Sequence, residues 1–118
     1  MNESSISKLK SEGLDVDGAI ERFMNNTAMY EKFLKKFAND PNYETLKSAI
    51  ANNECEKAFS AAHTLKGVSS NLSLTPLFKV VSEQTELLRA GDLGGAAEMM
   101  PQVDEEYHRM LALIDGIE

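Results

Sequence analysis

The chain of 118 residues has one cysteine, no tryptophan and only three prolines. With Cys55 alone, no internal disulfide and no cysteine-rich metal site can be built, and a reduced compartment is expected. The five phenylalanines and three tyrosines are too few to fill a core, which must be mainly aliphatic. Basic residues are outnumbered 12 to 19, for a net charge of −7, so neither a nucleic-acid backbone nor an anionic membrane surface is the expected partner. Long apolar runs are missing too. Nothing approaches the ~18 consecutive apolar residues of a membrane span, and Met1 to Lys10 lacks the apolar stretch of a signal peptide. A cytoplasmic location is therefore expected. Strand signals are nearly absent, with no sustained period-2 alternation and no Asn-Gly or Asp-Gly hairpin turn.

What is present is helical periodicity. Apolar residues make up 42% of the chain, enough for one core, and recur at spacings of three and four. This predicts a short helix over Ser5 to Ser11 ended by Gly13, then one from Asp15 to Asn25 with Val16, Ala19, Ile20 and Phe23 on one side. Asn25 and Asn26 break that helix, and Thr27 is read as the N-cap of a third that carries Tyr30, Phe33, Leu34 and Phe37. Asn39-Asp40-Pro41 opens a helix to Ala51 with Leu46, Ala49 and Ile50 inward. Asn52-Asn53 is read as the cap of a long helix from Glu54 to Leu72, and Thr75-Pro76 as the start of another to Ala90. Gly91-Asp92 turns the chain into a last helix from Leu93 to Ile114, which Pro101 is expected to interrupt and bend. Amphipathic helices joined by short loops predict an all-α fold: an antiparallel four-helix bundle of the last four segments, with the additional short N-terminal helices across one end. Residues 1–118 are expected to form a single domain with its core over about 13–114.

The helix from Glu54 to Leu72 contains Gly67 one turn after His63, and a glycine inside a helix costs roughly 0.5–1 kcal/mol relative to alanine. On a helical wheel with His63 at zero, Cys55, Ala58, Ala62, Leu65 and Ser69 gather around about −120°, the core face, with which Phe59 and Leu72 are also read. His63 lies at its edge, with Lys66 near about −60°, Ser70 near about −20° and Gly67 near about +40°. A cation, a hydroxyl and a bare position thus surround one imidazole. A neutral imidazole is nucleophilic near pH 7, since its unperturbed pKa is about 6.5. A phosphoryl group spreads charge over three oxygens that favour nearby cations and donors. Lys66 can supply the charge, Gly67 the space for approach, and Ser69 or Ser70 a hydrogen bond. Taken alone, the wheel also fits an inert surface histidine, with Lys66 solvated and Gly67 a place of close helix packing.

The run His63-Thr64-Leu65-Lys66-Gly67-Val68-Ser69-Ser70-Asn71-Leu72 resembles the signature of histidine phosphotransfer (HPt) domains, His-x-Leu-Lys-Gly-x-(Ser/Ala)-x-x-(Leu/Val)-Gly. Leu14 to Ala19, Tyr30 to Phe37 and the span leading into His63 follow the family's usual order, so the resemblance covers about residues 13 to 114. It implies that His63 is the phosphoacceptor, that Lys66 is the cation near the phosphate, that Gly67 gives access and that Ser70 is a hydrogen-bonding neighbour. The family's closing glycine is Ser73 here, which leaves the local turn geometry open. Members often hold the imidazole with a polar side chain from the next helix, for which Gln84 and Thr85 are both candidates.

The expected role is a phosphorelay carrier that accepts a phosphoryl group from a receiver-domain aspartate and passes it to another receiver. The expected partners are response-regulator receiver domains or a hybrid sensor kinase, with no nucleic acid or membrane, and the protein is expected to be a monomer. No cofactor of its own is expected; Mg²⁺ belongs to the receiver. The protein is not expected to be an enzyme, because Gly91-Asp92-Leu93-Gly94-Gly95 lacks the lysine and preceding strand of a phosphate-binding loop and no ATP site is evident. The alternative is a helical interaction module of the same fold with an unused histidine. Ile6, Leu9 and Leu14 are candidates for an apolar docking patch near His63. Glu105-x-x-His108 has the spacing of a bundle metal ligand pair, but Ser60 stands where a second copy needs glutamate, so His108 is read as a surface residue. Cys55 is read as a buried structural thiol.

Overall fold

Seven helices and no strands make up the computed structural model, which describes residues 1–118. They are α1 (Glu3–Ser11), α2 (Val16–Arg22), α3 (Thr27–Lys36), α4 (Asn42–Ala51), α5 (Cys55–Asn71), α6 (Thr75–Arg89) and α7 (Leu93–Asp115), with a 3₁₀ turn at Phe37–Asn39 between α3 and α4. None is long and apolar enough to cross a membrane.

The last four helices form the bundle. Helix α5 packs against α4 and α6, α6 packs against α7, and α4 meets α7 to close the ring. The face that α5 turns inward is short: Ala58, Ala61 and Ala62 are buried beside Leu65. Small side chains let neighbouring helices approach closely, and the larger Leu46, Leu77, Val81, Val103 and Met110 of the other three fill the centre.

Short connections enforce the antiparallel order. Residues 52–54, 72–74 and 90–92 join α4 to α5, α5 to α6 and α6 to α7. Each contains one residue with a left-handed backbone, Asn53 (φ 58°), Ser73 (φ 56°) or Gly91 (φ 79°). Around that residue the hydrogen bonds are those of a Schellman motif. At the end of α5, Leu74 N–H donates to the Ser69 carbonyl at 2.8 Å and Ser73 N–H to the Ser70 carbonyl at 3.1 Å. The same pair closes α1 at Gly13 and α2 at Met24. Ser73 therefore ends its helix in the conformation that glycine most readily adopts.

Several predicted caps shift by one residue. The N-cap of α3 is Asn26, whose side chain accepts from Met29 N–H at 3.0 Å, and Thr27 is the first helical residue. Asn52 and Asn53 terminate α4 and do not cap α5, whose N-cap position is Glu54. Thr75 and Pro76 lie inside the first turn of α6, after Leu74. Pro101 does not interrupt α7, which is continuous from Leu93 to Asp115. The carbonyl deprived of a donor there is that of Ala97, and both residues are exposed, so water can satisfy it.

The N-terminal helices lie across the end where α5 and α7 finish and α6 begins. Tyr30, buried on α3, donates its hydroxyl to the Leu72 carbonyl at 2.8 Å. Arg22 at the end of α2 donates to the carbonyls of Ser70 (3.1 Å) and Asn71 (3.3 Å) and to the Ser73 hydroxyl. Glu12 pairs with Arg109 of α7 at 2.8 Å. Leu9 and Leu14 are buried in this junction and Ile6 packs against it, so these three cover the core and do not form an exposed docking patch. The large apolar side chains left exposed are Met24, Met29 and Phe33.

Candidate functional site

Helix α5 presents one outward stripe, formed by residues spaced three and four apart: Phe59, His63, Lys66, Gly67 and Ser70. His63 sits near its middle and is exposed. The backbone around it is fully engaged in the helix, so only the imidazole is available for chemistry.

Lys66 is half-buried and takes part in none of the nine ion pairs of the molecule. An ammonium one turn from an exposed imidazole, with no carboxylate already claiming it, is available to an incoming anion. Gly67 is exposed, and a methyl group built on its Cα would meet no heavy atom within 4 Å outside its own helix backbone and neighbours. Close packing against another helix is thus not what keeps a glycine there. The surface beside His63 is open.

Of the two hydroxyls, Ser69 is buried and Ser70 exposed. Only Ser70 can serve the outer face, where its carbonyl is held by Arg22 at 3.1 Å. Neither candidate on the next helix reaches the imidazole. Gln84 is buried and donates from Nε2 to the Ala96 carbonyl at 3.0 Å, while Thr85 is buried and donates to the Val81 carbonyl at 2.7 Å. The contact made by the His63 ring is with Phe59: the ring centroids are 5.9 Å apart and the planes 25° from parallel. Phe59, expected on the core face, is half-buried at its edge beside His63. The signal that it belongs beside His63 is its i−4 position, which puts both rings on one stripe.

The competing sites resolve into structural roles. Glu105 and His108 are exposed on α7, and the Nδ1 of His108 lies 2.7 Å from the Asp104 carbonyl oxygen. Its ring meets Tyr43 and Tyr107 edge-on, with centroids 5.7 Å and 5.4 Å away. The glycine-rich turn before α7 serves the helix start: Asp92 accepts from Gly95 N–H at 2.8 Å. Cys55 is half-buried and its thiol lies 3.7 Å from the Leu88 carbonyl oxygen.

The protein-family model described as Hpt domain matches residues 28–113, from the start of α3 to the last turns of α7. No curated protein and no solved structure matches the chain. The matched span contains His63, Lys66, Gly67 and Ser70.

Proposed function

We propose, from the premise that this chain belongs to the Hpt domain family, that His63 is its phosphoacceptor and that it relays phosphoryl groups between receiver domains. Hpt domains are phosphotransfer carriers of two-component systems and not enzymes with a catalytic site of their own. The observation that carries the assignment to His63 is its exposure beside an open Gly67 on the same helix face. The other histidine, His108, is set against the Asp104 carbonyl and two tyrosine rings.

On this reading a ring nitrogen of His63 attacks the phosphorus of a receiver's aspartyl phosphate. The N–P bond forms as the P–O bond to the aspartate breaks; the aspartate leaves as a carboxylate and the imidazolium ring proton passes to solvent. Return of the phosphoryl group to a second receiver reverses these steps. Lys66 offers charge to the phosphoryl oxygens, Ser70 a donor at the edge of the stripe, and Gly67 an unobstructed approach. The receiver brings the Mg²⁺ that the transfer needs, and this chain supplies a positioned nucleophile.

The test is transfer of label from phosphorylated receivers of the source organism. The expected product is an acid-labile, base-stable phosphate that is lost completely in His63→Ala and retained in His108→Gln. Label that persists in His63→Ala would falsify the assignment, and the absence of transfer from every receiver would favour an interaction module with an unused histidine.

A further inference from the structure

The His63 imidazole makes no side-chain hydrogen bond, but it has one aromatic neighbour. It lies against the face of Phe59, offset and nearly parallel at 5.9 Å and 25°, within the range in which aromatic rings attract beyond simple burial. Phe59 is itself half-buried against the core at the seam between α5 and α6. Across that seam the Arg89 guanidinium carbon stands 5.0 Å from the Phe59 ring centroid, a cation–π distance. Arg89 is steadied in turn by Glu86 one turn earlier on α6, with Nε 3.3 Å and 3.4 Å from the two carboxylate oxygens. Glu86, Arg89, Phe59 and His63 therefore form a chain of contacts from α6 to the imidazole.

We propose that Phe59 is the positioning residue for His63, and that Arg89 holds Phe59 in place. This rests on the reading of His63 as phosphoacceptor. A helix residue with a free ring side chain has several χ1 wells and roughly two for χ2, so an unrestrained imidazole spends only a fraction of its time with one nitrogen facing outward. A neighbouring ring face removes most of that choice without occupying either nitrogen. A hydrogen-bonding side chain would fix one of them. Stacking leaves one ring nitrogen open to the phosphoryl group and the other to solvent or to the partner. The arrangement thus performs, from the helix of His63 itself with Arg89 of α6 behind it, the task for which Gln84 and Thr85 are candidates.

The experiment uses the full chain and phosphoramidate, a small phosphoryl donor that needs no receiver. A ring nitrogen attacks its phosphorus, the N–P bond to histidine forms, the donor's P–N bond breaks, and ammonia leaves; the imidazolium proton goes to solvent. Phe59→Leu is expected to slow labelling of His63 on the order of 3- to 6-fold, the factor that rotamer freedom supplies. Phe59→Tyr, which keeps the ring, is expected to restore the wild-type rate.

Proton NMR gives a readout that a merely structural role would not move. The ring-current shifts of the His63 carbon-bound protons should disappear in Phe59→Leu and return in Phe59→Tyr, while those of His108 stay fixed. If the leucine variant does not fold, Phe59→Met supplies an unbranched side chain without an aromatic face. Wild-type labelling and unshifted His63 resonances in a folded non-aromatic variant overturn the proposal, as does failure of Phe59→Tyr to rescue. If the wild type is labelled no faster than His63→Ala, the phosphoacceptor reading falls instead, and the ring-current comparison still decides whether Phe59 fixes the ring.

Discussion

Gly67 distinguishes two reasons for a glycine inside a helix. Where a helix must approach a neighbour, a side chain collides; where a partner must approach the helix, a side chain leaves the folded protein untouched and obstructs only the encounter. The space around Gly67 is empty, so the first reason does not apply, and the proposed transfer from a receiver supplies the second. Gly67→Ala is expected to raise stability by about 0.5–1 kcal/mol, the usual helix-propensity gain, as read by denaturant midpoint at constant slope. Gly67→Leu should also fold, yet slow phosphoryl transfer from a receiver on the order of 10-fold or more, with much less effect on labelling by phosphoramidate. Equal slowing with both donors would show that the substitution disturbs His63 itself. Residue-scale placement was largely legible: His63, Lys66 and Gly67 are all exposed or half-exposed where the wheel sets them. Phe59 was misplaced, although its angle of about −40° on the same wheel sets it between Lys66 and Ser70, beside His63.

At the scale of the helix end, Ser73 adopts the left-handed conformation for which glycine is favoured, at φ 56°. It does so with compensation. Its hydroxyl accepts from Arg22, the Leu72 carbonyl beside it accepts from Tyr30 at 2.8 Å, and the Schellman bonds close around it. Ser73→Gly and Ser73→Ala both lose the Arg22 contact, but only alanine retains the steric cost. Glycine should therefore be the more stable of the two by about 1–2 kcal/mol, measured by thermal or denaturant unfolding. Equal stabilities would mean that the turn relaxes away from the left-handed region. The helices themselves were legible from periodicity, and their ends less so. Thr27, Asn53 and Thr75 each look like N-caps in sequence, whereas Asn26, Glu54 and Leu74 occupy those positions. Asparagine serves both as an N-cap and as a left-handed C-terminal residue, and only the hydrogen bonds tell which.

Across the whole molecule the tyrosines tie the parts together. Tyr30 joins α3 to the end of α5, and Tyr43 of α4 donates to Asp104 of α7 while its ring stacks on Tyr107 at 3.7 Å. Burial pushes the ionisation of all three above the ordinary tyrosine range, reinforced at Tyr43 by the Asp104 carboxylate. A group whose pKa is raised by folding holds its full stabilisation below the unfolded value and loses it as pH rises. Stability should therefore be flat with respect to these residues below about pH 10. Above that it should fall by about 1.4 kcal/mol per pH unit for each tyrosine still protonated in the fold. Phenolate absorbance and helical circular dichroism should change together in an alkaline titration. Phenolate appearing near pH 10 in a fully helical protein would show that the hydroxyls are not held in this way.

The sequence by itself determined the helical class, the number and rough extent of the helices and the one stripe that carries His63. These follow from local periodicity and from a motif confined to a single helix. Tertiary structure alone decided what surrounds that stripe. It buried Leu9 and Leu14 in the junction with the bundle, buried Gln84 and Thr85 with Gln84 donating to the Ala96 carbonyl of α7, and brought Arg89 over Phe59. The physical reason is that helix period fixes the direction of a side chain relative to its own axis. What it meets depends on how two axes are set against each other, and that is a property of the packed molecule.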